Sequence, residues 1–146
     1  MRKLLSTNYS VGAFNAAILL LRLGVGILMM KHGYDKLIDF SNLEPNFMNF
    51  MEMGSKRSLE LLIFAEFYCS GLIILGLFTR LASMPLIIAT CIMIFKAHNG
   101  EVFGDGQTAA LYLISYLVLL FVGPGSISVS ALLENKIFPI LFKGKS

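Results

Sequence analysis

Four predominantly apolar blocks restrict the folds that this chain can adopt. They cover residues 14–36, 59–78, 82–98 and 108–122. A helix needs about 17–25 such residues to cross a bilayer, so the first two blocks are long enough and the last two are marginal. Apolar residues make up 56% of the chain and charged residues 14%, whereas a soluble domain has roughly 45–50% and about 25%. The sequence therefore predicts one all-α membrane domain over residues 1–146, a bundle of four transmembrane helices.

The segments between the first three blocks carry surface and turn signals. The longest one, residues 38–58, has apolar residues at helical spacing beside charged ones, which favours an amphipathic helix lying on the membrane surface. The positions at this spacing are Phe47, Phe50, Met51 and Gly54. A tight turn is expected at Thr79 and Arg80, between the second and third helices.

The end of the fourth helix is marked by Gly123, Pro124 and Gly125. Proline lacks an amide donor and glycine permits a sharp reversal, so these residues are expected to stop the helix. A short amphipathic tail over residues 126–142 is expected to follow.

The charged residues indicate a membrane environment. The chain has twelve Lys and Arg residues and a net charge of +3, and its cations lie mainly beside the apolar blocks, as membrane flanks do. We therefore expect no nucleic-acid partner. A slight excess of cations on the side of both termini, with most acidic residues on the opposite side, predicts that both termini are cytoplasmic. Cys69 and Cys91 have no CxxC spacing and are predicted to be packing residues.

Arg22 and Glu66 are the ionisable residues deepest within the blocks. A charge near the bilayer centre costs at least ~2.5–3.5 kcal/mol on insertion scales, so such a group usually faces the bundle interior beside a partner. We expect the two residues to be coupled. They either form a salt bridge that sets helix register or line a polar pocket, with Glu66 exchanging protons and Arg22 holding an anionic or carbonyl group.

Further polar residues cluster toward one membrane surface. His32 and Lys36 are four residues apart and share a face near the end of the first helix, and alternating topology places His98 at the same surface. Two histidines without further ligands predict neither a metal nor a haem site. Tyr112 and Tyr116 either add hydroxyls to a polar interior or pack. The candidate pocket residues are Arg22, His32, Lys36, Glu66 and His98.

Several short motifs follow one another along most of the chain. They read RLGVG at residues 22–26, KHGYDKL at 31–37, AEF at 65–67, LGLFTRLA at 75–82 and GPG at 123–125. In this order they strongly resemble the DoxX family of bacterial and archaeal membrane proteins. The resemblance implies a four-helix membrane protein. Some relatives are subunits of a thiosulfate:quinone oxidoreductase, and others are linked to membrane redox complexes that handle thiol or oxidative stress.

The resemblance also implies a function and a location. It favours a membrane subunit of a redox system in the bacterial cytoplasmic (inner) membrane, with a quinone bound in the candidate pocket. If the chain is catalytic, it is a quinone-linked oxidoreductase subunit. The expected partners are the lipid bilayer, a soluble or membrane redox protein and a second copy of the chain. Two alternatives remain open at this point, a non-catalytic scaffold that recruits a soluble partner and a carrier of a small solute.

Overall fold

The computed structural model describes residues 10–49, 52–97, 100, 102–104 and 106–142, and it includes the side chains of these residues except 97 and 137–142. The described part is helical and contains no strand. Its helices are α1 (Val11–Ile38), α2 (Phe40–Leu43), α3 (Ser55–Leu75), α4 (Thr79–Ile92), α5 (Gln107–Val122) and α6 (Val129–Phe142). Two π-helical segments interrupt or extend this pattern, Phe64–Cys69 within α3 and Met93–Ala97 at the end of α4.

Three of the helices are long and apolar enough to cross a membrane. These spans are Val11–Ile38, Ser55–Leu75 and Thr79–Lys96, while the apolar helix α5 is shorter, at 16 residues. Large apolar side chains on their outer faces are uncovered, among them Leu20, Phe95 and Phe121 at 70–76% exposure. A lipid environment accounts for such a surface, because hydrocarbon does not penalise exposed apolar groups. The prediction of an all-helical protein is confirmed in these residues, and three of the predicted spans are long and apolar enough to cross a membrane.

The buried core lies where α1, α3, α4 and α5 meet. α1 packs along α3, and α4 packs along α5. Each of the four helices contributes to the main cluster of buried residues, which contains Ile18, Met29, Cys69, Ile73, Ala82, Leu86, Tyr116 and Leu119. Cys69 is a free, buried thiol in this cluster and Cys91 is a free, half-buried one.

The turn between α3 and α4 is built around Gly76. This residue has a left-handed φ of 71°, its N–H donates to the carbonyl of Ile73, and the next N–H, that of Leu77, donates to Leu72. This pair of bonds is a Schellman motif, which satisfies carbonyls that the helix leaves unpaired. The turn therefore lies at residues 76–78 rather than at Thr79 and Arg80, which are the first two residues of α4.

The chain leaves α5 at Val122 and reverses through three residues. Gly123 and Gly125 have φ values of 88° and 72°, in the region that favours glycine, and Pro124 lies between them. The last helix, α6, then runs from Val129 to Phe142.

The connection from α1 to α3 is not one amphipathic helix in the described residues. The short helix α2 is followed by a 3-10 turn, Glu44–Asn46, and Phe47 then has an extended backbone. The Phe47 ring packs against the buried cluster of Leu62, Ala65 and Ala89, between α3 and α4. Burial of this ring against two helices outweighs the local helical spacing. Phe50 and Met51 lie outside the described residues.

Candidate functional site

Arg22 of α1 is enclosed by backbone carbonyls. Its side chain is 1% exposed. Nε donates to the carbonyl of Ile73 and Nη2 to that of Ile74, both at 3.0 Å, and Nη1 donates to Pro124 at 2.6 Å and Ile127 at 2.8 Å. The last carbonyls of a helix carry partial negative charge and lack intrahelical partners, so a cation there is favourable. Arg22 thus joins α1 to the end of α3 and to the loop after α5.

This arrangement corrects the expected pairing of Arg22 with Glu66. Ile73 lies two helical turns beyond Glu66, about 10 Å along α3, and the guanidinium binds at that far end. The five N–H donors of arginine can be satisfied by carbonyls alone. The intramembrane arginine therefore has no need of a carboxylate, and among the described residues the carboxylate of Glu66 has another partner.

That partner is Lys36, from the last turn of α1. Its Nζ lies 2.7 Å from Glu66 Oε2. Glu66 is fully buried, whereas the Lys36 side chain is 22% exposed. Lysine can keep its aliphatic stem on apolar surface while its ammonium group reaches a polar partner. The pair therefore connects a buried carboxylate with the end of α1, where the chain leaves the bundle.

The helix around Glu66 is locally widened. Glu66 lies in the π-helical segment Phe64–Cys69, and such segments often occur at functional sites. Gly33 of α1 contacts this segment directly. A Cβ at Gly33 would lie 2.6 Å from the Phe67 backbone nitrogen, so only glycine permits this approach of the two backbones. The close contact brings α1 near enough for Lys36 to reach Glu66.

A group of buried oxygens continues from Glu66 toward α5. Glu66 Oε1, Ser70 Oγ and Tyr116 Oη are buried and have no hydrogen-bond partner among the described residues. Tyr112 stacks on Tyr116 with ring centroids 6.1 Å apart. Sequence reasoning missed Ser70, although its position four residues after Glu66 places it on the same side of α3.

A small cavity lies beside this group, between α1, α4 and α5. Its volume is about 100 Å³, and it is lined by Met29, His32, Thr90, Met93, Thr108, Ala109 and Tyr112. The His32 ring meets Tyr112 edge-on, with centroids 6.4 Å apart. A more open groove of about 240 Å³ shares Thr108 and Tyr112 with the cavity and continues between α1 and α5.

The structure thus brings together some of the predicted pocket residues and separates others. Lys36 is bonded to Glu66, and His32 lines the adjacent cavity and interacts electrostatically with Glu66. Arg22 lies apart, within its ring of carbonyls. His98 lies outside the described residues.

Two of the residues that were expected to form turns, Arg80 and Gly123, contact each other at the end of α5. Arg80 donates to the carbonyl of Phe121 at 3.3 Å and packs against Gly123, where a Cβ would approach the guanidinium to 3.1 Å. Asn15 of α1 accepts from the N–H of Ser126 at 2.8 Å. The loop after α5 is therefore fastened to α1 and α4.

A comparison with protein-family models matches residues 17–99 to the family described as DoxX. The matched range contains the carbonyl-bound arginine, the Lys36–Glu66 pair and His32. No curated protein and no solved structure matches the chain.

Proposed function

The chain belongs to the DoxX family, since the match covers more than half of its 146 residues, and on that premise we propose that it is a membrane subunit of a redox system that binds a quinone head group. The proposed site is the cavity lined by His32 and Tyr112. We place the chain in the bacterial cytoplasmic membrane as a four-helix bundle, with α5 as the fourth span. Its 16 residues rise about 24 Å, so it needs local thinning of a core about 30 Å thick.

The observation that carries the proposal is the position of the cavity beside the ion pair that the buried Glu66 forms with the partly exposed Lys36. A quinone needs hydrogen-bond donors at its carbonyls and takes up protons when it is reduced. His32 and Tyr112 supply donors, and Glu66 is a carboxylate within electrostatic range of both. Lys36 holds Glu66 in place through its other oxygen.

The size of the space is compatible with this ligand. The cavity and the adjoining groove together reach the lower end of small-ligand pockets, about 300 Å³. Apart from Thr108, Tyr112 and Ser115, the groove is lined by Val25, Leu28 and Leu111. We therefore place the head group at His32 and Tyr112 and the apolar tail along the groove. A soluble or membrane-bound partner protein would supply the electrons.

Binding of a water-soluble quinone analogue to the purified protein in lipid nanodiscs tests this proposal. We expect His32→Ala and Tyr112→Phe each to weaken binding by about three- to tenfold, the effect of losing one hydrogen bond. Tyr68→Phe is the matched control, because Tyr68 lies exposed on the outer side of α3. Thermal stability, measured in parallel, identifies variants that fail to fold.

Two results would contradict the proposal. One is absence of binding to the wild-type protein. The other is equal affinity in the folded His32→Ala and Tyr112→Phe variants. Either result would favour the alternatives, a scaffold for a soluble partner or a solute carrier, in which these side chains contact no quinone.

A further inference from the structure

Three buried oxygens between α3 and α5 have unused hydrogen-bonding capacity. Glu66 Oε1, Ser70 Oγ and Tyr116 Oη find no partner among the described residues, and all three residues are 0% exposed. Hydrocarbon offers no substitute for water, so such groups are unfavourable inside a membrane. Ionisable and polar groups kept there commonly mark a path for ions or protons.

The three residues form one group, which we call the oxygen cluster. Glu66 and Ser70 lie four residues apart on α3, the first within the widened π-helical segment and the second directly after it. Tyr116 enters from α5, and its hydroxyl group lies within electrostatic range of Ser70 and Glu66 without a hydrogen bond of normal geometry among the described residues. The cluster therefore bridges the two helices at the buried centre of the packing.

The oxygen cluster has a polar group at each end. Toward the end of α1, the partly exposed Lys36 Nζ lies 2.7 Å from Glu66 Oε2. Toward the cavity, Tyr112 stacks on Tyr116 and meets His32 edge-on. The titratable groups that interact with Glu66 are thus Lys36 and His32 from α1, and Tyr112 and Tyr116 from α5.

We propose that the oxygen cluster of Glu66, Ser70 and Tyr116 is a proton relay between Lys36 and the cavity lined by His32 and Tyr112. The relay rests on the proposed function, because the protons serve the bound quinone. Reduction to the quinol takes two electrons from the partner protein and two protons through the relay. Lys36 Nζ gives a proton to Glu66 Oε2 and takes one up from the buffer, and rotation of the carboxyl group turns the protonated oxygen toward the hydroxyls. Each hydroxyl then accepts one proton on a lone pair as it donates its own toward the cavity.

Infrared spectroscopy of the protein in nanodiscs tests the relay without a quinone. The band of the Glu66 carboxyl group is identified by its loss in Glu66→Gln. We expect this band to shift in Ser70→Ala and in Tyr116→Phe, because a relay requires that both hydroxyls form hydrogen bonds with the carboxyl group while a proton passes, and each variant removes one of them. Tyr68→Phe, the matched tyrosine control, should leave it unchanged. An unshifted band in both cluster variants would overturn the relay.

A second measurement follows the protons themselves. A quinone analogue bound to the protein is reduced at an electrode while a pH-indicator dye reports proton uptake from the buffer. We expect Ser70→Ala and Tyr116→Phe to slow uptake by about tenfold or more while leaving analogue affinity unchanged, since neither side chain lines the cavity. Uptake at the wild-type rate in both variants would overturn the relay.

The two proposals fail in different ways. If the wild-type protein binds no analogue, the proposed function is wrong, and the infrared shifts alone decide whether the oxygen cluster is connected as a relay. If the analogue binds but the bands and uptake rates do not change, quinone binding stands and the relay is wrong.

Discussion

At the scale of single residues, the Lys36–Glu66 pair is asymmetric. The carboxylate is fully buried, and the ammonium group reaches it from the edge of the bundle. Removing one member of such a pair leaves the charge of the other without a partner. The resulting loss of stability is much larger than the net stabilisation that the intact pair provides. Stability measurements on single and double variants can therefore identify the true partner of Glu66.

A double-mutant cycle of Lys36→Met and Glu66→Gln should show strong coupling. We expect Lys36→Met alone to lower the free energy of unfolding by about 3 kcal/mol, because Glu66 becomes an uncompensated charge. The double variant should lose less than the sum of the single losses, with a coupling energy of about 1–3 kcal/mol. Unfolding in mixed detergent micelles gives these values.

A second double-mutant cycle, of Arg22→Met and Glu66→Gln, is the control for the first. These side chains bind at opposite ends of a two-turn stretch of α3, so their effects should add within about 0.5 kcal/mol. Additive losses for Lys36 and Glu66, or strong coupling between Arg22 and Glu66, would contradict the observed pairing.

Arg22→Lys should be destabilising even though the charge is kept. A single ammonium group cannot reach four carbonyls arranged around a planar guanidinium. We expect a loss of about 3 kcal/mol or more in the free energy of unfolding, since hydrogen bonds to charged groups contribute about 1.5–3 kcal/mol each.

Arg80→Lys is the control for this substitution. Arg80 is exposed and donates a long hydrogen bond of 3.3 Å to the carbonyl of Phe121, so its replacement should cost less than about 1 kcal/mol. Equal losses for the two arginines would show that the ring of carbonyls does not stabilise the fold.

At the scale of helices, the contact between α1 and the π-helical segment of α3 positions the site. Gly33 lies at this contact, between His32 and Lys36, and its neighbour across the interface is backbone. A side chain at this position would separate the helices and draw Lys36 away from Glu66. The approach of the two helices beside Glu66 therefore depends on the absence of a Cβ at position 33.

Gly33→Ala should lower stability by about 1–3 kcal/mol, the usual effect of overpacking. Gly24→Ala, in the same helix, is the matched control because a Cβ at Gly24 meets nothing within 4 Å. That control should be neutral or stabilising by up to about 1 kcal/mol, as alanine favours helix. Thermal unfolding in detergent measures both, and a stable Gly33→Ala protein would argue against the close contact.

At the scale of the whole molecule, the two ends of the bundle differ in chemistry. At one end, Arg22, Arg80 and Asn15 bind the end of α5 and the loop that follows it. At the other end, Lys36 and the long connection border the proposed site. If the chain crosses the membrane four times, the end of the bundle that contains Arg22, Arg80 and Asn15 lies on the same side as both termini. We propose that this side is the cytoplasm.

Cysteine-accessibility labelling tests this orientation in intact cells. Cysteines introduced at Ser6 and Ser146 should react with a membrane-impermeant reagent only after the cells are opened. A cysteine at Ser41, exposed in α2 at the opposite end, should react in intact cells. Labelling of both terminal positions from outside, with protection at Ser41, would reverse the topology.

Local properties of the sequence were enough to predict the membrane-spanning helices and their approximate limits. Runs of apolar residues, together with glycine and proline between them, act within a few neighbouring residues. The turn after α3 shows the limit of this reasoning. The sequence indicated a turn at Thr79 and Arg80, whereas the left-handed backbone of Gly76 places the turn at residues 76–78.

Only the tertiary structure decided which polar groups meet. A single helix presents several faces, and the sequence does not tell which face turns toward which neighbour. From the sequence alone, Glu66 could pair with Arg22. In the structure, the close packing of Gly33 against α3 brings Lys36 to Glu66 and makes Lys36 its partner. The sequence also gave no sign that Arg22 would bind backbone carbonyls. Such carbonyls lack partners only at helix ends, and the tertiary structure decides which helix ends lie near Arg22. Membrane insertion follows from composition, but the site follows from the rotation and distance between helices.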